Sequence, residues 1–473
     1  MDIISVPFAI CALISIVLFY LLKPQLRLWY LAFLSCCFIV SYDLNLLIYV
    51  FLFSACNYYF GKKIEVSKNK KALFRTGLII NVLQLIILNY ASFAIDPIFR
   101  LFDISSASSQ ISGIIVPLGI SYFTLQGIGY LINIKMGWEK PESGFIDFLL
   151  YIIFFPKFLS GPIERSNHFL PQVKALKPFD DHQVMDGLKI ALIGFFKKVV
   201  IANQLGTVVT GAYSDISNYS GSDLWFVVLI QPLYLYFDFS GYTDIAIGIS
   251  KAYGIDLLPN FNKPFLAENV TTFWKRFHMS LSLWFNDYVF KQLSFKYRRW
   301  GKSAAVLAVF VTFTLFGIWH GAGWNFMILG LVQAIAINYE FFTKRERMKL
   351  FSKMPGFARI WSGRFFTYLF FGFSLVFFFA HDLNGAFDVI QGLFNLSLPL
   401  KFANLNLWFL LAICFALVIL SLEFIDQDLT VVSVRVHNFW LNHRFIRVLI
   451  YYLMTILIMS HIGKKLVFIY QTF

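Results

Sequence analysis

The sequence predicts an all-α polytopic membrane protein, and three observations carry that prediction. Of its 473 residues, 58% are hydrophobic, 19% aromatic and only 14% charged, against about 25% charged in ordinary soluble chains. The mean hydropathy is +0.68. Uncharged stretches close to bilayer-crossing length also recur from end to end, and a transmembrane helix needs roughly 20 apolar residues.

In chain order, stretches at 3–22, 28–42, 44–61, 76–95 and 104–134 fill the first third. Those at 199–214, 224–237, 303–339, 365–381, 402–422 and 448–463 fill the rest. The stretch 104–134 opens on a Ser-rich lead-in, and 303–339 is long enough for two passes. Together they predict about 11–13 membrane helices, some short or re-entrant. The first stretch lacks a basic leader, Asp2 being its charged side chain, and has no clear small-residue cleavage site. It reads as a retained helix rather than a signal peptide.

Between these stretches the chain is irregular in two places. Residues 135–183 mix Pro141, Pro156, Pro162, Pro171 and Pro178 with charges, which predicts broken helices and loops. Residues 251–300 repeat Phe273, Trp274, Phe277, Leu281, Trp284 and Phe285 at three- and four-residue spacing, with Lys275, Arg276 and Asp287 between them. That pattern predicts amphipathic helices lying along the membrane interface. No Pro/Ser linker or soluble appendage of domain size interrupts the chain, so 1–473 reads as a single membrane domain. Within it, N-terminal helices occupy 1–134, a core 135–345 and C-terminal helices 346–473.

The net charge of +14 does not point to nucleic acid. Lys and Arg collect in short connectors at 62–75, 296–302, 344–353 and 435–447, the pattern of loops on the cytoplasmic side of a membrane. Alternating from these loops puts both termini outside the cytoplasm. Five cysteines lie in or beside apolar stretches without a CxxC pair, which suggests neither a disulfide framework nor a metal site. No inverted repeat is evident, which weakens a secondary-transporter reading.

One residue stands out against this background. From 303 to 339 there is no Asp, Glu, Lys or Arg, and His320 is the one imidazole there, within GIWHGAGWN at 317–325. An ionisable group inside membrane-length apolar sequence is costly and marks a functional-site candidate. An apolar setting favours the neutral imidazole that a general base requires. The bland alternative is a histidine hydrogen-bonded within a helix bundle.

Three further polar segments break the apolar background: PKFLSGPIER at 156–165, YFDFSGYTDIAIG at 236–248 and FWKRFHMSLSLWFNDY at 273–288. Each has an ordinary explanation alone, Asp238 and Asp244 as helix anchors and His278 as a snorkelling side chain. In this order and spacing, with the His320 segment, they resemble the membrane-bound O-acyltransferase (MBOAT) family. The match is closest to its bacterial branch, which O-acetylates alginate and peptidoglycan and D-alanylates teichoic acids. The resemblance implies the fold of that family, its transmembrane, re-entrant and interfacial helices arranged around a central tunnel. It places the family's intramembrane histidine on His320 and its second, upstream histidine on His278. The chain's length favours the acetyl-transfer subgroup. The last residues, FIYQTF at 468–473, look like the aromatic hexapeptide of this branch, which makes Tyr470 a transient acyl acceptor. Two departures stand out: Gln471 replaces the usual Phe, and Ala380 stands where relatives often carry Arg.

The resemblance implies an O-acetyltransferase of a bacterial inner membrane, serving an extracytoplasmic polysaccharide such as peptidoglycan or alginate. Acetyl-CoA is the expected donor, no resident cofactor or metal is expected, and a separate extracytoplasmic O-acetyltransferase finishes the reaction. Lys157, Arg165, Lys275 and Arg276 would attract donor phosphates, though each also suits a positive-inside marker. Asn286, Asp287 or Asn325 would orient a histidine or polarise the thioester carbonyl, and Trp284 and Trp319 complete the substrate-facing candidates. Two alternatives stay open. One is transfer of D-alanine or another acyl group from a carrier protein; the other is a proton-coupled transporter with His320 in the relay.

Overall fold

A computed structural model of the chain describes residues 3–101, 118–396, 406–427, 438–439 and 442–463, without the side chains of 91–101 and 426–427. Among them all regular structure is helical. Eight helices are long and apolar enough to cross a membrane, and two shorter apolar ones, Val6–Leu21 and Pro24–Val40, precede them. The described chain divides into two compact units that interleave in sequence. One comprises Met1–Ala191 with Thr243–Leu258, the other Leu192–Tyr242 with Pro259–Phe473. These divisions fall elsewhere than the sequence-based boundaries at 134 and 345.

The first unit holds α1 (Val6–Leu21), α2 (Pro24–Val40), α3 (Leu44–Val66), α4 (Lys70–Leu101), α5 (Ile120–Met136), α6 (Phe145–Ile153) and α7 (Ser166–Lys174). Ser5 caps α1 by accepting the Phe8 N–H at 3.2 Å, and Asp43 caps α3 through the Asn45 N–H at 2.9 Å. Such caps satisfy amide donors that the first helical turn leaves open. Between α3 and α4, Asn57 and Asn81 exchange amide hydrogen bonds of 3.3 and 2.9 Å. This is the polar glue expected of packed membrane helices. The stretch 135–183 does break into short helices and loops, as its prolines foretell. The predicted lead-in at 104–117 lies outside the described residues.

Two helices run across the division, α8 (Asp181–Phe195) and α10 (Gly221–Ala252); α9 (Asn203–Ser214) lies between them. A π-helical stretch, Phe196–Ala202, joins α8 to α9. In the second unit, α11 (Val270–Trp274), α12 (Met279–Phe285), a π-helical turn Asn286–Phe290 and α13 (Lys291–Lys296) follow. They are the short amphipathic pieces expected of 251–300. Next come α14 (Lys302–His320), α15 (Trp324–Phe342), α16 (Lys344–Phe351), α17 (Gly356–Ser374), α18 (Val376–Phe379), α19 (Leu383–Gly392), α20 (Leu407–Gln427) and α21 (Arg444–His461). Burial grades these helices as a membrane protein should. In α10, 78% of the apolar window is buried, against 11% in α21, whose apolar side chains suit lipid.

The uncharged stretch 303–339 forms two antiparallel passes, α14 and α15, turning at Gly321–Gly323. Glycines set how closely they approach. A Cβ on Gly330 would lie 2.1 Å from the Phe313 carbonyl oxygen, and one on Gly317 would lie 2.3 Å from that of Phe326. Neither contact tolerates a side chain, so the backbones meet at glycine, as tightly packed membrane helices require. Gly330→Ala should therefore cost about 1–3 kcal/mol through overpacking, read as a lower melting temperature in detergent. Gly356→Ala, where a Cβ meets nothing within 4 Å, is the control and should leave the melting temperature in place. Equal melting of both variants would contradict the close-packed hairpin.

Candidate active site

His320 is the last residue of α14, on the turn that the glycine-packed hairpin creates. It is 7% exposed and enclosed by aromatic rings. Ring centroids of Phe316, Trp319 and Phe378 lie 5.0, 5.1 and 5.7 Å from the imidazole, all steeply inclined to it. These are favourable edge-to-face arrangements. His278 lies 6.4 Å away, centroid to centroid, and is fully buried. It packs against Phe239 of α10 at 4.6 Å and Trp319 at 5.9 Å. The two histidines and Trp319, singled out separately in the sequence, thus meet in one aromatic enclosure.

His278 reaches this place on a strained turn. Its φ is +47°, a left-handed conformation that non-glycine residues seldom adopt and that clusters at functional sites. Asn260 holds the turn through two bonds: its backbone carbonyl accepts the Met279 N–H at 2.9 Å, and its side-chain oxygen accepts the Ser280 N–H at 3.2 Å. Sequence reasoning did not find Asn260, which is one polar residue in a loop of several.

Asn325 takes a different role from those expected of it. Its amide donates to the Phe377 and Ala380 carbonyls at 3.1 and 3.0 Å, which docks the short helix α18, and with it Phe378, against the His320 turn. The side chain expected to orient a histidine or polarise a carbonyl instead fixes backbone.

Behind Phe239, Asp238 forms an ion pair with Lys198 of the π-helical stretch, and both side chains are almost wholly buried. Gly241, three residues on, permits the close approach of the two backbones: a Cβ there would lie 2.8 Å from the Lys198 backbone nitrogen. Asp238 is thus a helix anchor, as one reading of the sequence had it. Lys198 escaped notice because a Lys in an apolar helix is usually a snorkelling side chain.

The remaining candidates are dispersed. Lys275 is exposed. Arg276 turns toward the Lys263 carbonyl at 3.4 Å. Trp284 is buried against Phe285 and Tyr288, at 5.3 and 5.0 Å. Asn286 donates to Asp287 at 3.1 Å, and Asp287 pairs with Lys291 at 2.8 Å, which makes this acidic group part of a helical ion pair. Tyr470 lies outside the described residues.

Lys157 and Arg165 belong to the first unit, where Lys157 departs from its expected part. Its ammonium is 1% exposed and donates to Gln126 Oε1 and the Tyr151 carbonyl, both at 2.6 Å. The rings of Tyr151 and Phe169 stand 5.2 and 5.3 Å from it. Burial pushes this lysine down to about 7, and Glu164 pulls it partly back. A group so enclosed braces the 156–165 loop and has no face for a donor phosphate. Nearby, Glu164 accepts the Leu258 N–H at 2.5 Å and pairs with His168 at 2.8 Å. Burial raises the Glu139 carboxyl to about 7, against hydrogen bonds from Ser166 and Asn133 that lower it.

Comparison with known proteins supplies the family. The family described as MBOAT, membrane-bound O-acyltransferase, matches residues 142–381, about half of the chain, including both histidines. The peptidoglycan O-acetyltransferase of Helicobacter pylori is 32% identical over 374 residues, covering 72% of this chain and 68% of that protein. The chain belongs to the membrane-bound O-acyltransferase family. A probable alginate O-acetylase of Pseudomonas syringae is 31% identical over 299 residues, 60% of this chain and 56% of that one. The teichoic acid D-alanyltransferase of Bacillus subtilis is 34% identical over 235 residues, 48% and 60% of the two chains. MBOAT membership decides for a multi-pass acyltransferase over a proton-coupled transporter.

Two predictions follow from the buried polar groups. Lys198→Met removes the buried ion-pair partner of Asp238 and should destabilise the protein by about 3–5 kcal/mol. Adding Asp238→Leu should restore most of the loss, and a double variant no more stable than the single would contradict the pairing. The second concerns pH. Glu139 stays protonated to about pH 7 in the folded chain but only to the ordinary 4.5 when unfolded. Its contribution is complete below 4.5 and is lost as pH rises through 7. Glu139→Gln should flatten the fall in melting temperature between those values; an equally steep fall in the variant would contradict the assignment.

Proposed function

We propose that this MBOAT protein carries an acetyl group from a cytoplasmic thioester, acetyl-CoA, through the bacterial inner membrane for O-acetylation of an extracytoplasmic polysaccharide such as peptidoglycan or alginate. The observation that carries the reading is the pair of buried histidines, 6.4 Å apart in an aromatic enclosure at the head of a membrane-crossing hairpin. The relatives named for peptidoglycan and alginate acetylation support the substrate class.

The chemistry follows from the charges. A coenzyme thioester is anionic and bulky and does not cross a bilayer, while a surface polymer does not enter one. A path that passes only the acyl group resolves the conflict. His320 takes the proton of the attacking hydroxyl as its oxygen bonds to the thioester carbon. The carbon–sulfur bond then breaks, and the proton leaves with the thiolate. His278, held rigid by its braced turn, positions the donor or assists the proton. Lys275, exposed three residues before His278, attracts donor phosphates.

Tyr470 is the first acceptor in this scheme. A phenol, with a reference pKa of about 10, is deprotonated more readily than a sugar alcohol, and its ester has the better leaving group. A separate extracytoplasmic transferase then moves the acetyl group to the polymer, with both termini of this chain on its side of the membrane.

A second reading, transfer of D-alanine, is favoured by the teichoic acid D-alanyltransferase relative, but that similarity covers 48% of the chain against 72% for the peptidoglycan enzyme. Mass spectrometry of the purified protein after incubation with acetyl-CoA tests both: an acetyl adduct on Tyr470 is expected. Its absence, together with an alanyl adduct from an alanyl-carrier thioester, would favour the second reading. His320→Ala should lower transfer by about a hundred- to ten-thousand-fold while the protein still inserts and elutes as a single species. Near-normal transfer would remove His320 from the chemistry.

A further inference from the structure

The structure points to Phe378 as the residue that limits acyl length. This inference rests on the acetyl-transfer reading above and deepens it: we propose that Phe378, held on α18 by Asn325, makes the His320 enclosure a sieve for two-carbon acyl groups.

Three observations carry it. The Phe378 ring stands 5.7 Å from the imidazole and at 82° to it, so its edge or face closes one side of the ring. Phe316 and Trp319 stand close on the same imidazole at 5.0 and 5.1 Å. Those two lie on α14, whose position the glycine contacts with α15 dictate, and they yield little.

Phe378 is different. It sits on a four-residue helix, Val376–Phe379, and its position depends on how that helix is docked. The docking is specific: both Asn325 hydrogen bonds end on α18 or the residue after it. Phe378 also rests on Phe326 at 6.1 Å, and the adjoining Phe379 packs on Tyr213 and Tyr234, both at 5.7 Å. The ring is 2% exposed and has little freedom to swing aside. A group bonded to the carbon under attack beside His320 must lie among these rings. Each methylene beyond a methyl has to displace Phe378 or unseat α18, and close-packed interiors accommodate added volume poorly.

Phe378 touches the catalytic histidine and selects the substrate. Asn325 acts through it, as a positioning residue. A change in the chain-length ratio, rather than in rate, separates this role from a structural one, because a merely loosened protein loses all donors together.

The test uses the full-length protein in lipid nanodiscs, with acetyl-, propionyl-, butyryl- and hexanoyl-coenzyme A offered separately. Thiol release and mass of the acylated protein are read for each. Wild type should favour acetyl, with each added methylene penalised by roughly tenfold or more. Phe378→Ala should raise the butyryl-to-acetyl ratio by about tenfold or more. Phe378→Leu, a smaller change that preserves core packing if the alanine variant does not fold, should move the ratio the same way. Asn325→Ala should do so too. A ratio unchanged in folded Phe378 variants overturns the sieve while acetyl transfer itself stands. Failure of wild type to transfer from any of the thioesters overturns the acetyl-transfer reading instead.

Discussion

Two imidazoles buried side by side in an apolar interior impose the central constraint on this molecule. Holding an ionisable ring in such a place is expensive, so it persists only where the surroundings over-determine it. The second unit supplies that determination in layers. Glycine contacts bring α14 and α15 together and set the turn that ends in His320. Asn260 holds the left-handed turn that delivers His278. Asn325 ties α18 to the start of α15, and a buried ion pair fixes α10 beside the π-helical stretch. Each device is polar or glycine-based, and each replaces the hydrophobic drive that membrane helices lack when they pack against one another.

The π-helical stretch Phe196–Ala202 belongs to the same pattern. Such widened turns are rare and gather at functional sites, and this one carries Lys198 to Asp238. Asp238 precedes Phe239, the ring that backs His278. One irregularity in a helix is thereby connected, over three side chains, to the histidine.

Much of this was legible in the sequence, and the rest failed for physical reasons. His320 was conspicuous as the one imidazole among 37 residues without Asp, Glu, Lys or Arg, and the two passes around it followed from length alone. The short amphipathic helices before it followed from aromatic spacing. His278 required the resemblance, because a histidine among Lys275 and Arg276 looks like any interfacial side chain. Lys157 reads as a phosphate-attracting or positive-inside lysine, since a sequence does not tell such a lysine from one bonded to Gln126 and the Tyr151 carbonyl. Phe378 was invisible as a selective residue among 57 phenylalanines. Its meaning comes from what it is packed against, and no local pattern encodes that. Asn325 is legible as a polar residue near His320, but its bonds to the Phe377 and Ala380 carbonyls depend on how α18 docks, which sequence does not encode.

In the proposed scheme the reacting carbonyl is brought to His320 within the aromatic enclosure. The most direct measurement is a structure in lipid nanodiscs with a non-transferable acetyl-coenzyme A analogue bound. The acetyl carbonyl should lie beside His320, bordered by Phe378 and Trp319, with an imidazole nitrogen at about 2.6–3.2 Å from the hydroxyl position that attacks it. An analogue seated elsewhere in the chain, with the His320 ring closed off by its aromatic neighbours, would contradict the scheme.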